Sequence, residues 1–446
     1  MEIAIGTLKA FVYRVSGIVV WALLGIITAR ALSVEDRGTY ASMVVLMFIV
    51  SALAPSIPAS AGYFVSKKGR PAPEVMSASL LMAGGISIVQ CLILGAWGFL
   101  RWDDKTLVPI IGLGVFPQVA RLALSSVFLG TGHIGKQALG ANGQAYWGLA
   151  CILVWVIALD HRTAADALGA FVLGQYIAVA SMLVIAGPQW RRQLFRLPPR
   201  ETMRGMLSYG ILPGIATVVG MANYRFDQVL VIRLDGATGA GIYASAVTLA
   251  EGLWLFSGSI STASFHRIGT LAPSEAATLT ANTFRHMVLP VAAMATGVAL
   301  LAPWLIGGLY GDRYLDGVNT LRILCVGTAL FAPTSLLNTY FMVQLGRPVI
   351  GLLLSSVSAA INIALCFVLI PHVGYIGAAW ATLIAYGAGA CLGVALFVRM
   401  SGLPLSLLVR IRKDDLSGYV DVARTLLRGR LIGARPAAAA GESTTS

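Results

Sequence analysis

Charge is scarce in this chain. Only 11% of its 446 residues are Asp, Glu, Lys or Arg, against roughly 25% in soluble domains. A soluble protein of this length would lack the polar surface to cover itself, which excludes an ordinary soluble enzyme. Cysteine and histidine are sparse as well, with five of each. Cys91, Cys151, Cys325, Cys366 and Cys391 all sit in apolar runs without metal-ligand spacing. They read as small packing residues, not as a disulfide framework or a metal site. The histidines are scattered and form no metal constellation, and no cofactor is expected. The apolar stretch from Phe11 to Leu32 is too long for a signal-peptide core and lacks a small-residue cleavage site, so no cleavable signal is expected.

Apolar residues fill the space left by charge. They make up 57% of the chain, and the mean hydropathy is +0.80. A bilayer core of about 30 Å needs about 20 apolar residues per helix. Twelve spans meet that rule, at roughly 11–32, 39–65, 75–100, 107–130, 138–159, 165–187, 206–234, 240–264, 286–309, 318–344, 348–370 and 375–398. Alternating β-barrel patterning is absent, so the fold class is an all-α polytopic membrane protein. Pro55, Pro58, Pro109, Pro117, Pro213, Pro290, Pro303 and Pro333 fall inside spans, where proline kinks a helix or simply shapes packing.

Basic residues set the orientation. Of the 32 Lys and Arg residues, 21 lie in one set of loops and the termini, 8 in the opposite loops and 3 inside spans. Both termini are therefore expected in the cytoplasm, and the net charge of +13 reads as a topology signal. That removes most of the case for nucleic acid as a partner. The loops on the other side, such as RWDDKT and DHRTAAD, are too short to form a domain.

One phrase occurs twice. GTYASMVVL begins at Gly38 and GIYASAVTL at Gly241, with six of nine letters in agreement at an offset of 203. The same offset matches Gly17 with Gly220 and Arg30 with Arg233. Spans one and two thus correspond to spans seven and eight. Six spans per half is an even number, so the halves are parallel repeats about an axis along the membrane normal. This predicts an N-terminal six-helix lobe over 1–187, a basic cytoplasmic linker over 188–205, a second lobe over 206–400 and a cytoplasmic basic tail over 401–446 whose end is disordered. The two lobes enclose a central cavity.

Several segments resemble the polysaccharide transporter (Wzx-type flippase) family. They are ARALSVEDRGTYASMVVL near the N-terminus, YRFDQVLVIRLDGATGAGIYASAV, the loop GLYGDRYLDGVNTLRIL with its Tyr-Gly-x-x-Tyr pattern, and NTYFMVQLGRPVIGLLLSSVSAAINIALCFVLIPHVGYIGAAWATLIAY. The resemblance covers roughly residues 5–400. The sequence departs from the family at Gln228, where a basic residue often follows the aspartate, and in its longer basic tail. The family belongs to the superfamily that also holds multidrug exporters and the lipid II flippase. The resemblance implies a twelve-helix carrier in the bacterial cytoplasmic membrane, not an enzyme. Its implied cargo is undecaprenyl-diphosphate-linked oligosaccharide, moved to the outer leaflet, with polysaccharide assembly proteins as further partners.

Five charges fall deep in spans: Arg14, Arg121, Arg225, Asp227 and Glu251. A charge at mid-membrane costs at least about 2.5 kcal/mol, so each needs a cavity or a partner. Arg225 and Glu251 are each ten residues from the same membrane face, about 15 Å deep at 1.5 Å per residue. They form the plausible pair, either as cavity charges or as a structural ion pair. Asp227, about 200° round the helix from Arg225, either pairs with another helix or carries a coupling proton or sodium ion, a role also open to Glu251. The stripe Ala244, Thr248, Glu251, Gly258 and Thr262 is small and polar and is expected to face the interior or water. Arg121 is read as cavity-lining. Arg14 is read either as a cavity cation or as snorkelling to the interface. Arginine suits a diphosphate because its planar fork engages two oxygens.

Two other readings compete. A cation-coupled multidrug exporter favours an acidic cavity, whereas three of the five deep charges are arginines. A membrane glycosyltransferase or polymerase needs a catalytic domain, and Asp103–Asp104 and Asp414–Asp415 lie in no such domain. The tail from Tyr419, with Arg424, Arg428 and Arg430 beside Val422, Leu426, Leu427 and Leu431, reads as a helix lying on anionic membrane lipid or as a solvated basic helix.

Overall fold

The computed structural model describes residues 2–52, 56–101, 106–193 and 196–410. Pro55, Asp103–Asp104, Asp414–Asp415 and the basic tail lie outside them, as does the side chain of Arg14. The described chain is helical, with no strand. Its first half comprises α1 (Glu2–Ala31), α2 (Val34–Ala52), α3 (Ile57–Ser66), α4 (Ala72–Arg101), α5 (Leu107–Gly130), α6 (Ile134–Ile152), α7 (Ala164–Ala186) and the short α8 (Pro188–Gln193). The second comprises α9 (Arg200–Leu234), α10 (Gly236–Glu251), α11 (Leu253–Thr270), α12 (Pro273–Tyr310), α13 (Val318–Phe331), α14 (Thr334–Thr339), α15 (Pro348–Val373), α16 (Tyr375–Ser401) and α17 (Ser406–Val409).

Ten helical stretches among the described residues are long and apolar enough to cross a membrane, or eleven if the bent pair α2–α3 counts as one span. The remaining expected span is α1, whose described apolar part is Ser16–Ala31. The bend between α2 and α3 is 50°. Ser56 caps α3 there, and Pro58 sits in its first turn, where a missing N–H costs nothing. Pro333 separates α13 from α14, whereas Pro117, Pro213, Pro290 and Pro303 lie within continuous helices. Gly311 and Gly374, at φ 101° and 64°, make the sharp exits from α12 and α15, where a side chain would be strained.

The repeated phrase has a counterpart in packing. Within the first half, α1 packs on α6, α4 on α5, α5 on α7 and α6 on α7. Within the second, α9 packs on α15, α12 on α13, α13 on α16 and α15 on α16. The second span of each half is interrupted, between Ala52 and Ile57 in one and at the single residue Gly252 in the other. Between the halves, α2 packs on α10 and α9, and α10 in turn packs on α1. A two-fold relation demands that reciprocal set.

The end carrying Arg30, Gly38 and Gly241 is termed distal, and the opposite one the linker end. At the distal end the halves touch backbone to backbone. A Cβ added at Gly38 would overlap Ala237 O, and one at Gly241 would overlap Val34 O. At the linker end the first turns of α9 dock on the first half. Thr202 Oγ1 donates to Glu74 (2.6 Å), Arg70 pairs with Glu201 (3.1 Å), and Ser60 Oγ donates to Met206 O (2.7 Å). The segment expected as a linker thus includes α8 and the first turn of α9. α11 and α14 pack within their own half, and Ser259 and Thr262 of α11 are exposed.

Candidate functional site

Asp227 lies seven residues before the distal end of α9. Its carboxylate is 7% exposed. Oδ2 accepts from Tyr243 OH (2.5 Å) and Thr382 Oγ1 (3.3 Å), and Oδ1 accepts from Gln228 N (2.7 Å). Thr382 Oγ1 accepts in turn from Asn362 Nδ2 (3.0 Å), and the Cys366 thiol leans on Asn362 Oδ1 (3.7 Å). Helices α9, α10, α15 and α16 each contribute one wall. Among the described residues no ion pair reaches Asp227 within 4.0 Å. Hydroxyl and backbone N–H donors therefore hold this carboxylate without an arginine or lysine at contact distance. A hard oxygen set of this kind suits a proton or a small cation. No cluster of three His, Cys, Asp or Glu side chains that could hold a metal occurs among the described residues.

Arg225 points the other way, as two residues of helix dictate. Its guanidinium donates to Glu251 Oε2 at 2.9 Å, and the two side chains are 31% and 35% exposed. Glu251 ends α10 immediately before the break at Gly252, so the pair ties α9 to the break in the eighth span. An aromatic group lies beside it. Tyr224 meets Trp254 edge-on (5.5 Å), Trp254 meets Tyr386 (6.0 Å), and Tyr386 stacks on Phe331 (4.6 Å). Of the small polar stripe, Ala244 is buried at the seam, while Thr248 and Thr262 are exposed.

Arg121 is not on a cavity wall. It is 1% exposed, enclosed between α5 and α6. Its guanidinium donates to Gly140 O (3.0 Å), Ala141 O (2.7 Å), Gln118 Oε1 (3.2 Å) and Gln144 Oε1 (2.7 Å). The glutamines were the missing signal: four oxygen acceptors, one of them a single turn away, solvate the charge inside the first half. This corrects the cavity-lining expectation. Arg121→Met is expected to lower stability by about 3 kcal/mol, because it strands buried acceptors of a charged donor. Thermal unfolding in detergent measures this. Unchanged stability with lost transport would return Arg121 to the cavity.

The distal seam holds groups that spacing alone did not single out. Arg30 of α1 donates through Nε to Leu309 O (2.8 Å) and through Nη2 to Gly308 O, the last carbonyls of α12. Arg313 donates through Nη2 to Ala29 O (2.8 Å) and Arg30 O (2.9 Å), the last carbonyls of α1. Tyr314 OH adds a bond to Ala29 O (3.2 Å). A helix C-terminus carries unsatisfied carbonyls and partial negative charge. Here each half caps the other's helix with an arginine. Arg30 thus anchors a helix of the opposite half.

No protein-family model and no curated protein sequence matches the chain. Solved structures do. An inward-facing multidrug resistance transporter of the MATE family, in the MOP superfamily, superposes with a TM-score of 0.70 at 13% identity, over 86% of this chain and 94% of that one. The lipid II flippase MurJ in an inward closed conformation gives 0.69 at 13% identity, over 97% and 94%. An outward-facing MATE transporter gives 0.54 at 14% identity, over 86% and 95%. At such identity the likeness speaks for architecture alone. The chain has the fold of the MOP-superfamily transporters.

Proposed function

We propose that this protein flips undecaprenyl-diphosphate-linked oligosaccharide from the cytoplasmic to the outer leaflet of a bacterial cytoplasmic membrane. The linker end, with both termini, faces the cytoplasm. The observation that carries the reading is the asymmetry of the deep charges in the second half. Arg225 is partly exposed and so can meet an anion, while the unpaired acid, Asp227, is enclosed. A diphosphate entering from the linker end meets a guanidinium whose present partner, Glu251, it can displace. The sugar follows between the two halves and the prenyl tail stays in lipid. No covalent step is required.

Asp227, with Tyr243, Thr382 and Asn362, serves as the coupling site for a proton or sodium ion, and Glu251 stays a second candidate. The shared fold with the lipid II flippase supports a lipid-linked cargo. The equal likeness to multidrug transporters and the aromatic group at Trp254 favour the second reading, a cation-coupled drug exporter. Deletion in the native host separates the two. Unflipped lipid-linked oligosaccharide should accumulate on the cytoplasmic side, and complementation with Arg225→Ala should restore little export. Normal polysaccharide with altered drug tolerance would refute the flippase reading.

A further inference from the structure

Arg37 is a buried charge that the fold alone does not account for. It lies in the first turn of α2, one residue before Gly38 at the distal seam, and is 6% exposed. Its Nε is buried without a hydrogen-bond partner, and among the described residues no carboxylate lies within 4.0 Å. Its guanidinium rests over the Tyr40 ring at 5.6 Å. Tyr314 is the residue that, with Arg313, caps α1. Three arginines from both halves therefore lie at one seam: Arg30 and Arg313 occupied by neutral carbonyls, and Arg37 buried beside Gly38.

We propose that this seam is a latent anion site for a phosphate-class ligand, which Arg30, Arg37 and Arg313 clamp when the halves part at the distal end. In the closed state Arg30 and Arg313 spend their donors on helix-end carbonyls, and those bonds hold the seam shut. Parting the halves breaks all of them together and uncovers Arg37. A carbonyl is a neutral acceptor. A phosphate oxygen is a charged one, so it adds an ion-pair attraction to the same guanidinium donors. The guanidinium fork also fits two phosphate oxygens at once. The exchange from carbonyl to phosphate thus favours the open state. A ligand shifts such an equilibrium only by its differential affinity, and here the closed state has no site for it at all. The site would take the diphosphate of the cargo as it leaves Arg225. Identifying the anion with the cargo rests on the proposed flippase reading, whereas the anion site itself does not.

The test uses the full chain, otherwise free of cysteine, in nanodiscs of neutral lipid. Spin labels at Glu35→Cys and Thr238→Cys, both exposed and on opposite halves of the seam, report its width. Inorganic pyrophosphate should raise the wide-seam population about fivefold or more, the usual scale of a coupled equilibrium. Chloride at equal ionic strength should not. Arg37→Gln should remove most of that response. Arg313→Gln, at an exposed position, should widen the seam without ligand and weaken the pyrophosphate response. No response in the parent protein, or an undiminished response in both variants, overturns the proposal. Should pyrophosphate act while deletion leaves lipid-linked oligosaccharide normal, the anion site stands and the cargo assignment falls. The converse pair of results keeps the cargo and removes this site.

Discussion

Gly38→Ala and Gly241→Ala are each expected to cut transport at least tenfold while the protein still folds and inserts. A single methyl suffices because what it meets is backbone. The Cβ at position 38 would fall on Ala237 O and within 2.6 Å of Gly241 N, and the one at position 241 would overlap Val34 O. Backbone of a packed helix has no rotamer to yield, so the halves must separate at the distal end. The closed state is lost, and with it the cycle between closed and open. Raised labelling of Thr238→Cys by a membrane-impermeant maleimide should accompany the loss of transport. Gly220→Ala is the control: open space surrounds that position, and near-normal activity is expected. Normal transport in both seam variants would show that this contact does not govern the cycle.

Asp227→Asn should lower the transport rate by about 10- to 100-fold and remove its dependence on the driving ion. The loss corresponds to the ~1.5–3 kcal/mol of a hydrogen bond to a charged group. The amide keeps the shape but removes the charge that a bound proton or sodium ion neutralises. It also turns an N–H toward donors, since Tyr243 OH and Gln228 N both point at this side chain. Thr382→Val removes one hydroxyl donor and strands Asn362 Nδ2, so a smaller loss in the same direction is expected. Initial rates in proteoliposomes under imposed sodium or proton gradients check both variants. If Asp227→Asn retains full ion dependence, the coupling group lies elsewhere, with Glu251 the next to examine.

The spans were legible because their signal is simple. Bilayer thickness fixes a length, and only continuous apolar runs satisfy it, so Leu107–Gly130 was readable to the residue, whereas Arg200–Leu234 begins six residues before the 206–234 read from the sequence. The Arg225–Glu251 pair was readable for a related reason: equal depth on adjacent spans leaves few partners. Asp227 was visible as a charge, but Thr382 and Asn362 were not, because a hydroxyl or amide in an apolar run carries no mark of what it faces. Arg121 misled for the same reason. Depth said that it needed a partner, and Gln118, Gln144 and two helix carbonyls provided one without any cavity. The repeated phrase was legible as a register mark between halves. Its glycines meeting each other was not, since contact between two copies requires the packing of α2 on α10. The difference between the copies, Phe48 in one and Glu251 in the other, places the paired charge in one half alone.

A reconstituted flipping assay tests the central claim most directly. Purified protein in proteoliposomes would be supplied with fluorescent undecaprenyl-diphosphate-linked oligosaccharide, and a membrane-impermeant quencher would read how much cargo has changed leaflet. The account predicts transfer that requires the protein, responds to an imposed ion gradient and falls sharply with Arg225→Ala and Gly38→Ala. Cargo that stays in its starting leaflet, while the same vesicles move a cationic drug against its gradient, would contradict it.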